Sequence, residues 1–475
     1  MAGSIAANPT FALQPSAEQV VLQTNYITNF DFLNQYLPDT YEKEFERYGN
    51  RTVASFLRMV GAEMPSNSDL IKWAEQGRLH TKYIDVTSAA AAGSNTAVLT
   101  VGDVLVPGSG SIALRVGQTI MISDNTAASV LTNKALITAV DMANATITVA
   151  YYEAAGQAVA AAVVTSLFVY GSEFQKGTNG MQGQLEADDD IYSNSPIIIK
   201  DKYAVSGSDM AQIGWIEVTT ENGATGFLWY LKSEHETRLR FEDYLETAMV
   251  EAVPAAAGGG VAAIAAGVAS GVGNKGSEGL FYVVNNRGNV WSGGNPSTLA
   301  EFDSIIQRLD KQGSIEENVI FLNREFGFDI DDMLASQNSY GANGTSYGLF
   351  DNDKDMALNL GFTGFRRGYD FYKSDWKYLN DPTMRGGLVG GKINGILVPA
   401  GSTTVYDQVL GKNAKRPFLH VSYRASETED RKYKTWITGS AGGAATSDLD
   451  AMEVNFLSER ALCTLGANNF FLFKG

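Results

Sequence analysis

The chain has 475 residues, 44% hydrophobic and 19% charged, a balance that excludes wholesale disorder and, at this length, predicts two or three lobes rather than one core. A formal net charge of −17 disfavours binding driven by phosphate neutralisation. One cysteine, Cys463, and three histidines, His80, His235 and His420, leave no intrachain disulfide and almost no scope for a Cys/His zinc site.

Residues 1–48 read as an N-terminal arm. The first 40 carry almost no charge, and Asn, Gln, Thr and Pro separate isolated apolar residues. Phe11, Phe30, Phe32 and Leu33 are the candidates for packing on a neighbouring surface. The first basic residue is Lys43, so the basic start of a secretory signal is missing, and synthesis in a reducing compartment is expected. Residues 49–80 are expected to hold short helices. Phe56, Met59 and Val60, and then Leu70, Ile71, Trp73 and Ala74, fall at helix spacing.

Residues 81–205 read as one long β excursion. Its outgoing strand, 81–87, contains Tyr83 and Ile84, and its return, 195–205, contains Ile197, Ile199 and Tyr203. Between them, at about 88–170, the chain is poor in charge and rich in Ala, Val, Thr and Gly. Strand patterns recur at 97–101, 112–116, 119–123, 135–140 and 145–151, with a turn at 141–144. An inserted small all-β domain is predicted.

Residues 206–258 contain the strongest helix, 226–251, free of Gly and Pro after its first residue and with Glu234 and Arg238 at four-residue spacing. It is a predicted rod of about 40 Å, at about 1.5 Å per residue. The following run, 253–272, is mostly Ala and Gly, too weakly apolar to span a membrane. Residues 259–429 read as an α+β lobe with a strand at 280–284, a helix at 297–312 capped by Ser297, a strand at 317–322 and a helix at 324–336. Strand-like stretches follow at 360–376, 393–398 and 417–423. Residues 430–475 supply closing strands at 433–438, 452–456 and 469–473.

Motifs of chemistry are thin. Gly271, Gly273 and Gly276 match G-x-G-x-x-G, but no strand precedes them and no helix starts there. Asp351, Asp353 and Asp355 start like a calcium loop, yet Met356 stands where glycine is needed and Phe362 where glutamate is needed. Asp188–Asp190 is another acidic turn, and His235 lacks zinc spacing. The stretch 365–376 is basic and aromatic. Arg366, Arg367 and Lys373 could meet phosphates; against an acidic chain, Arg366, Arg367 and Trp376 read better as interface or core anchors. No catalytic residue, cofactor or metal is expected, although the many carboxylates leave a glycosidase pair open.

The order of parts (arm, short helices, β excursion, isolated long helix, α+β lobe, closing strands) resembles the Hong Kong 97-like capsid fold. Met1-Ala-Gly-Ser, Asn8-Pro-Thr and Thr40-Tyr-Glu-Lys-Glu-Phe-Glu-Arg-Tyr-Gly49 resemble major capsid proteins of crAss-like or related short-tailed phages. The resemblance covers most of the chain in layout and carries no short signature motif. It implies an α+β capsid fold with an E-loop, a peripheral domain built on the spine helix and an axial domain. The implied role is a self-assembling, non-enzymatic head protein that forms hexamers and pentamers around double-stranded DNA in the virion, assembled in the host cytoplasm. It also implies portal, decoration and, since no charged helical segment precedes the arm, separate scaffold proteins as partners. Neither sequence-specific DNA binding nor membrane contact is implied. The competing readings are a carbohydrate-active hydrolase with a β accessory domain and a phage tail or surface-layer protein.

Overall fold

The computed structural model describes residues 56–57, 62–78, 80, 82–102, 112–125, 132–183, 189–211, 218–219, 225–226, 229–256, 259–261, 274–338, 363–407, 412–443 and 445–475. The arm residues Phe11, Phe30, Phe32 and Leu33 lie outside them, as does the acidic turn 351–355. The fold is mixed α+β, in two compact units. One takes residues 72–192 from the middle of the chain; the other, the body, is made of the chain on both sides.

The middle unit is a closed barrel of six strands, β3 (Lys82–Ser88), β4 (Thr96–Val101), β5 (Gln118–Asp124), β6 (Thr132–Asp141), β7 (Thr146–Tyr151) and β8 (Thr165–Ser172), in the order β3-β4-β7-β6-β5-β8. Alternation makes it. In β4, Ala97, Leu99 and Val101 point inward while the residues between them are exposed. At the β6–β7 turn the Asp141 carboxylate accepts the N–H of Ala143 at 3.0 Å, and Ala145 sits at φ 53°. Inside, the Gln157 amide donates to the carbonyls of Ala90 (2.8 Å) and Val159 (2.6 Å) and accepts from the Ser88 hydroxyl (2.7 Å), tying a loop to the wall.

Before and after the barrel run β2 (Ile71–Gln76) and β9 (Asp189–Asn194), which pair with each other, with Trp73 and Tyr192 rings 6.4 Å apart. The short helix expected around Leu70, Ile71, Trp73 and Ala74 is a strand in the structure. Leu70, Trp73 and Ala74 fit a helical period, but Ile71, Trp73 and Glu75 share one face at a period of two, and a partner strand decides for β.

The body has two large sheets among the described residues. One holds β1 (Ala62–Ser66), β20 (Leu419–Arg424), β22 (Ala451–Thr464) and β10 (Ile197–Ser206) in that order, with β21 (Lys434–Gly439) also on β22. The other is six-stranded: β13 (Asn289–Trp291), β23 (Phe471–Lys474), β17 (Ile393–Pro399), β14 (Glu317–Leu322), β16 (Tyr369–Asp375) and β15 (Gly364–Arg367). Short pairs complete it, β11 (Val218–Thr219) with β12 (Thr225–Gly226), and β18 (Ser402–Asp407) with β19 (Lys412–Pro417).

The long helix is Trp229–Glu251, 23 residues or about 34 Å. Phe241 and Leu245 pack with Val205, Met452, Val454 and Phe456 of β10 and β22. Its ion pairs at four-residue spacing include Lys232–Glu236 and Arg238–Glu242, both 3.9 Å. Leu280–Arg287 is a helix where a strand had been predicted: Leu280, Phe281, Val283 and Val284 are all buried, and a short apolar run does not distinguish the two states. The helix Leu299–Gln312 is capped by Thr298 rather than Ser297, in a capping box with Glu301. The helix Arg324–Asn338 follows β14.

Candidate assembly surfaces

The predicted surface residues divide sharply. Tyr83 is inside the barrel, its hydroxyl accepting the N–H of Ala113 at 2.9 Å. Ile84 beside it is half-buried, and its carbonyl accepts from the Asn125 amide at 2.6 Å. Trp376 is only 4% exposed: it stacks on Phe56 at 4.2 Å between centroids and meets the edge of Phe321 at 6.2 Å. Tyr83 and Trp376 therefore belong to interiors, and neither offers a side chain to another molecule.

On β10, Ile197 and Ile199 pack against the body core and Tyr203 against the cluster under the long helix, where burial pushes its hydroxyl pKa up to about 12. The residue between them, Ile198, turns outward and is 53% exposed. Three isoleucines in a row do not reveal which face is wet; only the pairing of β10 with β22 does so. Exposed apolar residues that sequence reasoning passed over include Tyr372 on β16, Phe328, Trp436 and Ile437 on β21, and Val389, which is 99% exposed.

The basic stretch is neutralised within the chain. Arg366 pairs with Asp370 at 2.9 Å, Arg367 grips Asp303 through two nitrogens, and Lys373 pairs with Asp331. The Arg367 hydrogen bonds hold the Asp303 carboxyl below its usual range. Cations committed in this way suit a folded surface better than a phosphate track.

A denser ionic cluster ties the first sheet together. Glu63 of β1 meets Lys432 and, at 3.6 Å, Arg460 of β22. Glu459 meets Arg431 at 2.7 Å and Arg424 at 3.6 Å, and Arg424 also pairs with Asp69. Ser458, Glu459 and Arg460 are buried, so this chemistry is structural glue between distant chain segments.

The one cysteine lies opposite a histidine, Cys463 against His420, on β22 and β20. A thiol–imidazole dyad needs a thiolate and an accessible base. Burial instead pushes Cys463 up to about 11 and His420 down to about 4, and the His420 ring nitrogen meets the Pro417 carbonyl at 3.2 Å. Both are neutral interior residues at pH 7. Among the described residues, no group of three or more His, Cys, Asp or Glu could hold a metal ion, and no helix is long and apolar enough to cross a membrane. A bare G-x-S-x-G pattern at Gly344, Ser346 and Gly348 lies outside the described residues.

No family model and no curated protein matches the chain. Among solved structures it is similar to one from Microbacterium phage Oxtober96, at 11% identity over 94% of this chain and 98% of that one, with a TM-score of 0.38. It is similar to one from Mycobacterium phage Che8, at 11% identity over 93% and 97%, with a TM-score of 0.36. It is also similar to the capsid of a native GTA particle, at 9% identity over 93% and 96%, with a TM-score of 0.37.

Proposed function

We propose that this chain is a self-assembling shell subunit, the major capsid protein of a tailed double-stranded DNA phage of Hong Kong 97-like fold. The observation that carries the reading is the chain path. The chain leaves the body through β2, builds a closed barrel, returns through β9, and enters β10, the partner of the 14-residue β22 under the long helix. In this reading residues 81–205 are the E-loop with its inserted all-β domain, the long helix is the spine of the peripheral domain, and the six-stranded sheet belongs to the axial domain.

Function is then association rather than turnover. Residues 1–48, with Phe11, Phe30, Phe32 and Leu33, act as an arm on a neighbouring subunit. Ile198 and Tyr372 stand ready for further contacts, and the arginines of β15 are anchored from within. At about 25 cal/mol per Å², about 1,000 Å² of apolar burial per subunit is a gross gain of about 25 kcal/mol before ordering costs. Repetition around a closed shell makes weak contacts sufficient. Hexamers and pentamers enclosing DNA, with portal, scaffold and decoration proteins as partners, complete the proposal; a crAss-like or related short-tailed phage is the proposed source. The net charge of −17 lets a container hold DNA without adhering to it.

Electron microscopy of the expressed chain tests this. Closed shells, or five- and six-membered rings, are expected; a persistent monomer that cleaves glycosidic bonds would overturn the reading. Removing residues 1–40 is expected to leave a folded body that no longer assembles.

A further inference from the structure

The outer wall of the barrel carries an open cleft of about 510 Å³. It is built from Thr119 on β5, Lys134 on β6, Tyr152 just after β7, Tyr170 and Gly171 on β8, and Glu173 just beyond β8. Strand register gathers them. Thr119 lies opposite Gly171, and the Tyr152 N–H donates to the Lys134 carbonyl at 3.1 Å. The β5–β8 ladder slips here: Thr119 pairs with Gly171 but Ile120 with Val169, leaving Tyr170 as the extra residue of a bulge. Bulges re-aim the side chains they carry. Gly171 keeps the floor open, since a Cβ there would come within 3.2 Å of the Thr119 hydroxyl.

The polar atoms of the cleft are only partly used. Tyr152 and Tyr170 are each 48% exposed. The Tyr152 hydroxyl donates to Glu173 Oε2 at 2.5 Å, which holds that ring in place. The Lys134 ammonium stands 5.7 Å from the centroid of the Tyr170 ring. Among the described residues, that ammonium has no ion pair, and neither the Tyr170 hydroxyl nor Glu173 Oε1 has a hydrogen-bond partner.

We infer that this cleft binds neutral carbohydrate. Two exposed aromatic rings offer apolar faces for the C–H face of a sugar ring, with hydroxyls at their tips. Unspent donors on Lys134 and an unspent acceptor on Glu173 match sugar hydroxyls, which both give and take hydrogen bonds. The two charges cancel within the cleft. Glu173 and the charge of −17 oppose phosphate, sulfate and uronate ligands, and Lys134 opposes an ammonium ligand. An open cleft suits the end of a glycan rather than an engulfed cofactor. The site goes beyond the shell reading and does not depend on it, because it is complete within one chain.

The test uses the full-length chain on an array of neutral hexose and N-acetylhexosamine oligomers printed beside sialylated and sulfated glycans, with retained glycans titrated by calorimetry. Retention of neutral glycans is expected, weakened at least tenfold by Tyr170→Ala and by Lys134→Met; the latter changes an exposed side chain and leaves the barrel interior untouched. Tyr152→Phe, which keeps the ring and loses the hydroxyl, is expected to weaken binding severalfold. Leu449→Ala, at an exposed position of the body, is the control and leaves binding unchanged. Three results would each overturn the proposal: no glycan retained, retention confined to charged glycans, or retention that survives both Tyr170→Ala and Lys134→Met. Calorimetry with soluble glycan reads the affinity of each site whether or not the chain assembles, so failure of the shell reading and failure of the cleft are told apart.

Discussion

In the barrel every ladder joins neighbours in one stretch of chain: β5 with β6 and β8, β4 with β7, and β3 with β8, all between residues 82 and 172. In the body the longest-range ladders join distant parts of the chain, β1 with β20, β10 with β22 and β13 with β23, beside local pairs such as β15 with β16 and β21 with β22. The interiors differ too. The barrel cluster is Val, Ile, Leu and Ala around one fully buried aromatic, Tyr83, with Tyr151 half-buried against it. The body core rests on rings, among them Phe56, Phe281, Phe321, Trp376 and Phe470. A unit closed by nearby hairpins can form without the rest of the chain, whereas the body must bring residues hundreds of positions apart into register before its contacts reward it.

The sharpest way to break this comparison is to hollow one unit and watch the other. Trp376→Ala removes a buried ring that stacks on Phe56 and faces Phe281 and Tyr378, and is expected to cost about 3–5 kcal/mol. Denaturant unfolding followed by NMR should show body resonances lost early while barrel methyls keep their midpoint. Leu167→Ala, in the barrel core, should do the reverse at about 2–5 kcal/mol. If both units shift together in either variant, they form one cooperative block and the contrast fails.

The same contrast explains what the sequence disclosed. Strands β4 to β7 were legible from their apolar patterns and from turns that carry their own chemistry, as at Asp141 and Asn144, whereas the expected strand at 112–116 is coil and turn and β8 was not foreseen. Much of the body was legible as the long helix and the apolar strands β14 and β17. The 14-residue β22 was read as five residues because Ser458, Glu459 and Arg460 look like a surface; their burial depends on partners at Glu63, Arg424 and Arg431, which only the fold supplies. Tyr83 and Trp376 looked like anchors for a neighbour because an aromatic residue suits an interface and an interior equally well. The cleft of Lys134, Tyr152, Tyr170 and Glu173 had no motif at all, since its parts are spread over 40 residues and meet only through a bulge.

The ionic cluster sharpens the comparison at a slightly smaller scale. Glu459→Gln leaves Arg431 and Arg424 without their shared carboxylate in a mostly buried setting, an expected loss of about 3 kcal/mol confined to the body. Guanidinium titration of the variant checks it; a change under about 0.5 kcal/mol would reduce the cluster to an ordinary surface network.

Acid probes the same sheet through one residue. Burial lowers His420 in the folded chain from 6.5 to about 4. Between those values the unfolded chain binds the proton and the folded chain does not, so stability rises with pH through this window and is flat above about 6.5. At about 1.4 kcal/mol per tenfold proton affinity, the loss on acidification to pH 4 is on the order of 3 kcal/mol. His420→Gln should flatten that slope in the body transition while leaving the barrel transition with its own pH profile. A slope that persists in the variant assigns the acid sensitivity to other groups.

The smallest effect lies at a helix start. Thr298 accepts the N–H of Glu301, and the Glu301 carboxylate receives the N–H groups of Ser297 and Thr298 at 2.9 and 3.0 Å. These bonds satisfy donors that the first turn leaves unpaired. They also hold the Glu301 carboxyl below its usual range. Thr298→Ala is expected to cost about 1 kcal/mol. The helix Leu299–Gln312 buries Phe302, Ile305 and Leu309 in the cluster that holds Phe371 and Phe473, so a loss at its cap is transmitted to the six-stranded sheet. Hydrogen exchange should therefore quicken along β14, β16 and β23 together and remain unchanged throughout the barrel. Quickening limited to residues 299–302 would mean that the cap frays locally and that the body, for all its long-range ladders, does not share small losses.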